Sequence, residues 1–224
     1  MKAGLLLVNV TATCTEPGTI GNDWQPAQVS QLLDELDNLD LQVTNLVASS
    51  GGSEEEDDDH LRERIILAPE SFTNAGSRGA YRFHAMSAHP AIVDVAVLSP
   101  VPGTVELYPL LSTGLPSDSI LTLVESVCSD EKVRPLTDTV RGKSPVQVDY
   151  SIDARLTIYH GQDAKSVESE ADQAIQAWVA SRRAKLGIDI VPRQISAVLT
   201  VAGVYDVELS GLELVVVAEN EWAN

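Results

Sequence analysis

Basic residues are scarce in this chain. Over 224 residues, 15 Lys and Arg stand against 33 Asp and Glu, a formal charge of −18. Phosphate backbones and anionic lipid surfaces are bound through clustered Lys and Arg, so this balance argues against nucleic acid and membrane as partners. It favours solubility, or a partner with a basic face. Cysteine is scarcer still. Cys14 and Cys128 are too few for a disulfide framework, and Cys128 falls on the apolar side of a predicted helix, which fits a reduced, cytosolic setting. No segment approaches the roughly 20 apolar residues of a transmembrane helix. Met1–Cys14 is apolar only briefly, is interrupted by Asn9 and Thr11, and offers a poor cleavage context at Thr13. It reads as a strand, not as a signal peptide.

The motifs that carry chemistry are missing too. There is no GxxxxGK[ST] phosphate loop, no GxGxxG dinucleotide turn and no GxSxG nucleophile elbow. His60, His84, His89 and His160 show no HExxH or CxxC context, so no zinc site is expected. His84 and His89 are about 140° apart in helical projection and would not share a ligand. The acidic run Glu54–Asp59 supplies hard oxygen atoms but lacks the spaced loop and turn glycine of a calcium site. It reads as a solvated, capped helix start, with Ser53 and Glu56 in capping-box register and the helix reaching about Leu67. The expectation is no cofactor and no metal.

What is present is an ordinary globular composition, 44% hydrophobic and 21% charged, over a length that allows one large or two small domains. The central stretch Asn74–Leu111 predicts helix, strand, turn, strand. Ser77 to His89 is helical and is stopped by Pro90. Val93, Val95 and Val97 alternate with Asp94 and Ala96, the period of a half-buried strand. Pro102-Gly103 turns the chain into a second strand, Val105–Leu111. A weaker copy closes the sequence: a helix begun by Pro192, then GVYDVEL, a Ser210-Gly211 turn and LELVVVA. The copy brings Asp206 into register with Asp94.

Elsewhere the reading is as follows. Leu5–Ala12 and Leu41–Ala48 are strand candidates around a Gly- and Pro-rich loop, Glu16–Gln25, and Ser30–Asp37 is a helical turn or two. Ser117 to about Val133 is a helix with Ile120, Leu123, Val124 and Val127 on one face. Arg134–Lys143 is a polar connection. Val146–Ile158 alternates apolar and polar without a break and predicts one long strand. Ala164 to Leu186 is a helix with acidic residues early, basic residues late and Gly187 just beyond it. The fold class is therefore α+β: two small related α+β domains follow a truncated β-rich N-terminal segment. The expected boundaries are 1–52, 53–145 and 146–224.

These features resemble the baseplate assembly protein J family of contractile-tailed phages and tail-like particles. The carrying residues are CTEPGTIGN (Cys14–Asn22), EEEDDDHLRERI (Glu54–Ile65) and AGSRGAYRFHAMSAHPAIVDVAVLSPVPGTVELY (Ala75–Tyr108), with VRPLTDTV (Val133–Val140) and GVYDVELS adding to them. The resemblance implies a structural part of the baseplate wedge and no enzymatic activity. Such a part dimerises, joins neighbouring wedges into a six-fold ring and receives other wedge proteins. It implies location in the virion tail baseplate after assembly in the bacterial host cytoplasm. Family members usually carry a further N-terminal region before the segment matching Leu5–Asn22, so this sequence resembles a shortened member. On the residues alone, an α+β enzyme with an acidic pocket involving Asp94 or Asp206 is the alternative. Subunit contact is expected on the Ser77–His89 helix at Tyr81, Phe83 and Met86, because Phe83 and Met86 project away from the face that Tyr81, Ala85 and Ala88 turn to the hairpin. Burial of that whole helix between two layers of the same chain is the rival.

Overall fold

The computed structural model describes residues 7–33, 41–72 and 76–224. The chain divides into two compact units, residues 1–55 and 56–224. In the first unit no described residue lies in a helix or strand, and none is buried. The strands expected over Leu5–Ala12 and Leu41–Ala48 form no ladder where they are described, and residues 30–33 form no helical turn. The rest of these expectations lies outside the described residues. Polar side chains take the backbone groups that a ladder would use. Asn45 Oδ1 accepts from Val29 N at 3.0 Å while its Nδ2 donates to the carbonyls of Gln25 (3.0 Å) and Val47 (2.8 Å). Asn22 does the same for Gly52, accepting from its N–H and donating to its carbonyl, each at 2.8 Å.

The second unit is α+β. It opens with helix α1 (Asp58–Leu67), capped by Asp57, whose carboxylate accepts from His60 N at 2.8 Å. This corrects the expected start: Ser53 does not cap the helix; Asp57 does, and Asp58 and Asp59 then lie in the positive first turn. Helix α2 (Arg78–Ala88) is capped by Ser77, whose Oγ accepts from Ala80 N at 3.1 Å. Strands β1 (Ile92–Leu98) and β2 (Thr104–Leu111) form the expected antiparallel hairpin, and α3 (Asp118–Cys128) follows. The supposed polar connection after α3 contains a strand, β3 (Thr139–Gly142), which pairs parallel with β2. Only Val140 within it is buried, too little for a sequence pattern to register.

β2 is covered on both faces. Val105, Leu107 and Leu111 pack with Tyr81, Ala85, Met86, Ile120, Val124 and Cys128 under the helices. Tyr108 and Leu110 point the other way, to Leu186 and Trp222. Pro109 is fully buried in this central strand, opposite Val95. Proline has no N–H for a ladder, and here none is required, because β3 stops at Gly142, opposite Leu107. Gly142 of β3 lies hard against α3. A Cβ there would lie 2.6 Å from the Leu121 carbonyl oxygen, so no larger residue fits without moving the helix.

Beyond residue 145 the single long strand expected over Val146–Ile158 is two. β4 (Val146–Val148) pairs parallel with β7 (Glu221–Ala223), and β5 (Ala154–Ile158) pairs antiparallel with β6 (Val204–Leu209). The apolar positions from Val148 to Ile158 stay half-buried, but the chain changes partner between them. Helices α4 (Ala164–Arg183) and α5 (Pro192–Leu199) cover the inward faces of β5 and β6 through Ala171, Ile175, Trp178, Ile195 and Leu199. The C-terminal copy of the helix–strand–strand unit is partial. After Ser210-Gly211 the chain does not pair back on β6, whose partner is β5. Val215 instead bridges Ile190.

Two outcomes follow. Cys128 is fully enclosed and burial pushes its thiol up to about 12, whereas Cys14 is exposed. A maleimide at pH 7 should therefore label Cys14 promptly and Cys128 only on unfolding, read by intact mass. Hydrogen exchange should open residues 7–33 and 41–55, which have no buried side chain, well before the amides of β1 and β2. Equal protection of the two regions would refute that ordering.

Candidate functional site

The sequence names two carboxylates and one helix face as candidates. Asp94 lies in β1, and its backbone is irregular there. Ile92 faces Leu111 and Asp94 faces Leu110, so Val93 is an extra residue, a bulge in β1. The bulge shifts the phase of the strand: Ile92, Val95 and Val97 turn to the helices, while Val93, Ala96 and Leu98 turn to Leu186 and Trp222. Asp94 is carried inside with them, at 7% exposure. It is not the exposed position of an alternating strand.

Its carboxylate is fully engaged. Oδ1 accepts from its neighbour Val95 N at 2.7 Å and from Arg82 Nη1 of α2, and Oδ2 accepts from Leu186 N at 2.8 Å. The same Arg82 nitrogen donates to the Val95 carbonyl at 2.9 Å, and Nη2 lies 3.7 Å from Glu63 of α1. Both backbone groups of Val95 on the free side of β1 are thus occupied by Arg82 and Asp94. The carboxylate braces an edge strand and fixes the turn after α4; it is committed to neither proton transfer nor a ligand. Asp206 is remote from this arrangement in the topology. It is exposed on β6, opposite Thr157, in a different sheet. A groove of about 830 Å³ lies between the Ser112–Gly114 turn and α4, with Ile152, Ile175, Val179 and Trp222 in its lining. Its lining includes neither Asp94 nor Asp206, and no other carboxylate side chain.

The acidic run is divided among separate tasks. Glu54, in the first unit, accepts from Thr19 N (3.1 Å) and Oγ1 (2.8 Å), and these bonds hold its carboxyl below the usual range. Glu56 takes Arg64 at two atoms, 2.6 and 2.9 Å, and its carboxyl is lowered chiefly by that contact. Asp57 caps α1, and Asp58 and Asp59 meet Arg62 at the surface. Among the described residues no group of three or more His, Cys, Asp or Glu side chains is placed to hold a metal ion.

Of the three residues expected at a subunit contact, two are used up inside the chain. Tyr81 and Met86 are fully buried in the core beneath the helices, and Tyr81 Oη donates to Asp138 Oδ2 at 2.8 Å. Met86 is enclosed because α2 packs against α1 and α3 as well as β1, so apolar contact spreads round a wide arc of the helix. Phe83 alone stays half-buried, its ring edge-on to His84 at 5.3 Å.

The geometry is that of a braced edge strand, and comparison with known sequences gives the family. The baseplate J-like central domain matches residues 73–144, and the baseplate J-like protein C-terminal domain matches residues 150–224. The chain belongs to the baseplate J-like family. It is 36% identical over 151 residues to baseplate protein J of Escherichia phage P2, covering 66% of this chain and 50% of that one. It shares the fold of a chain in the cryo-EM structure of the six-fold symmetrised anti-feeding prophage baseplate: TM-score 0.50, 16% identity, 89% of this chain and 49% of the other. The chain therefore spans about half the length of each of these relatives. Among its described residues no helix is long and apolar enough to cross a membrane.

If the Asp94 brace carries the fold of this J-like chain, Asp94→Ala should cost about 3–5 kcal/mol in urea unfolding, since it strands a half-buried guanidinium and two backbone N–H groups. The Arg82→Met, Asp94→Asn double variant should lose less than the sum of the single variants, with a coupling of about 1–3 kcal/mol. Additive losses would show that the two side chains act separately.

Proposed function

We propose that the chain is a non-enzymatic structural subunit of the baseplate wedge of a contractile phage tail or tail-like particle. It dimerises and links neighbouring wedges into a six-fold ring during tail assembly in the bacterial host cytoplasm, and other wedge proteins dock on it. The carrying observation is the match of both J-like domains in consecutive order along one chain. Support for the ring comes from the fold shared with a chain of a six-fold symmetrised baseplate. Support for a scaffold and against catalysis comes from Asp94, whose oxygens are all engaged within the fold. The division at residues 52 and 145, and action without metal or cofactor, belong to the same reading. So does Phe83 as a contact with a second subunit, because it is the one large apolar side chain of α2 that the chain's own core leaves half-covered.

The test is size-exclusion chromatography with light scattering, on the chain alone and mixed with the tail proteins encoded beside it. Concentration-dependent dimers and mixed complexes are expected; a monomer under every condition overturns the reading. Phe83→Asp should retain the wild-type circular dichroism and melting of the monomer. It should weaken self-association roughly 30-fold, equivalent to about 2 kcal/mol for a central anchor. Unfolding of the variant at dilutions where the wild type is a folded monomer would assign Phe83 to the intrachain core with Met86.

A further inference from the structure

The outer face of the β5–β6 pair carries a feature that the core does not use. Ala154, Leu156, Val207 and Leu209 turn inward to α4 and α5, and Arg155, Thr157 and Tyr159 turn outward and are exposed. Alternation along β6 would send Tyr205 inward with Val207 and Leu209. It does not, because the register is broken: Thr157 faces Asp206 and Ile158 faces Val204, leaving Tyr205 as an extra residue. This bulge turns Tyr205 out beside Asp206, the re-aiming of a side chain for which bulges are known.

Tyr205 is 65% exposed and Tyr159 is 55% exposed, and their rings stand edge to face, centroids 5.2 Å apart at 81°. Asp206 makes no hydrogen bond or ion pair among the described residues. Arg155, the cation in the outward row of β5, stands opposite Glu208 one step further along, and Asp206 faces the uncharged Thr157. A fixed aromatic pair next to a free carboxylate is thus presented to solvent by a deliberate irregularity of the strand.

We propose that Tyr159, Tyr205 and Asp206 form a docking point for an arginine side chain of a basic partner protein. A guanidinium is weakly hydrated, stacks on tyrosine and pairs bidentately with a carboxylate, so it uses all three side chains at once. Asp206 has no cation of its own among the described residues and the chain carries a charge of −18, so charge complementarity at this face favours a basic protein as the occupant. This selection rests on charge and geometry and stands apart from the baseplate reading.

The test is an amide NMR titration of the full chain with the blocked pentapeptide Gly-Gly-Arg-Gly-Gly and its lysine and citrulline counterparts. The arginine peptide should shift the amides of Tyr159, Tyr205 and Asp206 and bind about threefold more tightly than the lysine peptide. The citrulline peptide should not bind. Tyr205→Ala and Asp206→Asn, both at exposed positions, should each weaken binding about tenfold with unchanged circular dichroism. Equal binding of arginine and lysine peptides spread over the acidic surface, or no shift at these amides at tens of millimolar peptide, overturns the proposal. Self-association in sedimentation velocity that Tyr205→Ala abolishes also overturns it, by assigning the face to a second copy.

Discussion

The contact between Arg82 and Asp94 is the constraint on which the second unit depends. A sheet edge offers unpaired N–H and C=O groups that must be satisfied or shielded. β1 is an edge strand, and at Val95 both groups are taken, the N–H by Asp94 and the carbonyl by Arg82. The same carboxylate reaches Leu186 N, 92 residues on. One ion pair therefore closes the edge, ties α2 to the hairpin and sets the point where the chain leaves α4. A buried charge pair seldom adds much net stability over an apolar substitute, but it is costly to half-remove and strict about geometry. Geometric strictness is what this pair contributes to the fold.

The acidic side chains show the complementary principle. A run of six carboxylates invites a reading as one site, yet Glu54, Glu56 and Asp57 turn to different partners, and Asp58 and Asp59 share Arg62 at the surface. The cap, the Arg64 clamp and the Thr19 contact divide the run between a helix start and a loop. Like charges close in sequence are tolerable when each has its own cation, donor or solvent.

Periodicity revealed the elements whose burial is one-sided and continuous. The helix over Ser77–His89, the hairpin after it and the Pro192 helix all lie where their patterns place them. It failed where two strands share one pattern. Residues 146–158 alternate without interruption because Tyr150, Ile152, Ala154 and Leu156 face one core, while the backbone passes from β7 to β6 as partner. It failed again at β3, held by one buried valine and a glycine that lets α3 approach. The alternation of β1 puts Asp94 on the wetted side, because a bulge is invisible to a period of two. Its partners, Arg82 and Leu186 N, are brought to it by tertiary structure alone. The sequence did point to α2 as important, through its two apolar sides, but not to which neighbours would claim each side.

The pairing of β4 with β7 has a kinetic side. Val146 lies against Glu221, so β4 is completed by a strand 75 residues further along the chain. Parallel pairing over such a separation cannot form until the intervening chain has closed a large loop, and it forms late. During synthesis the helices before β1 and the β1–β2 hairpin, whose contacts are local, can be made while β4 still waits on the ribosome for its partner. The exposed Val146 is then an unpaired edge for that interval, and neighbouring chains emerging on the same message would meet it before the fold has closed.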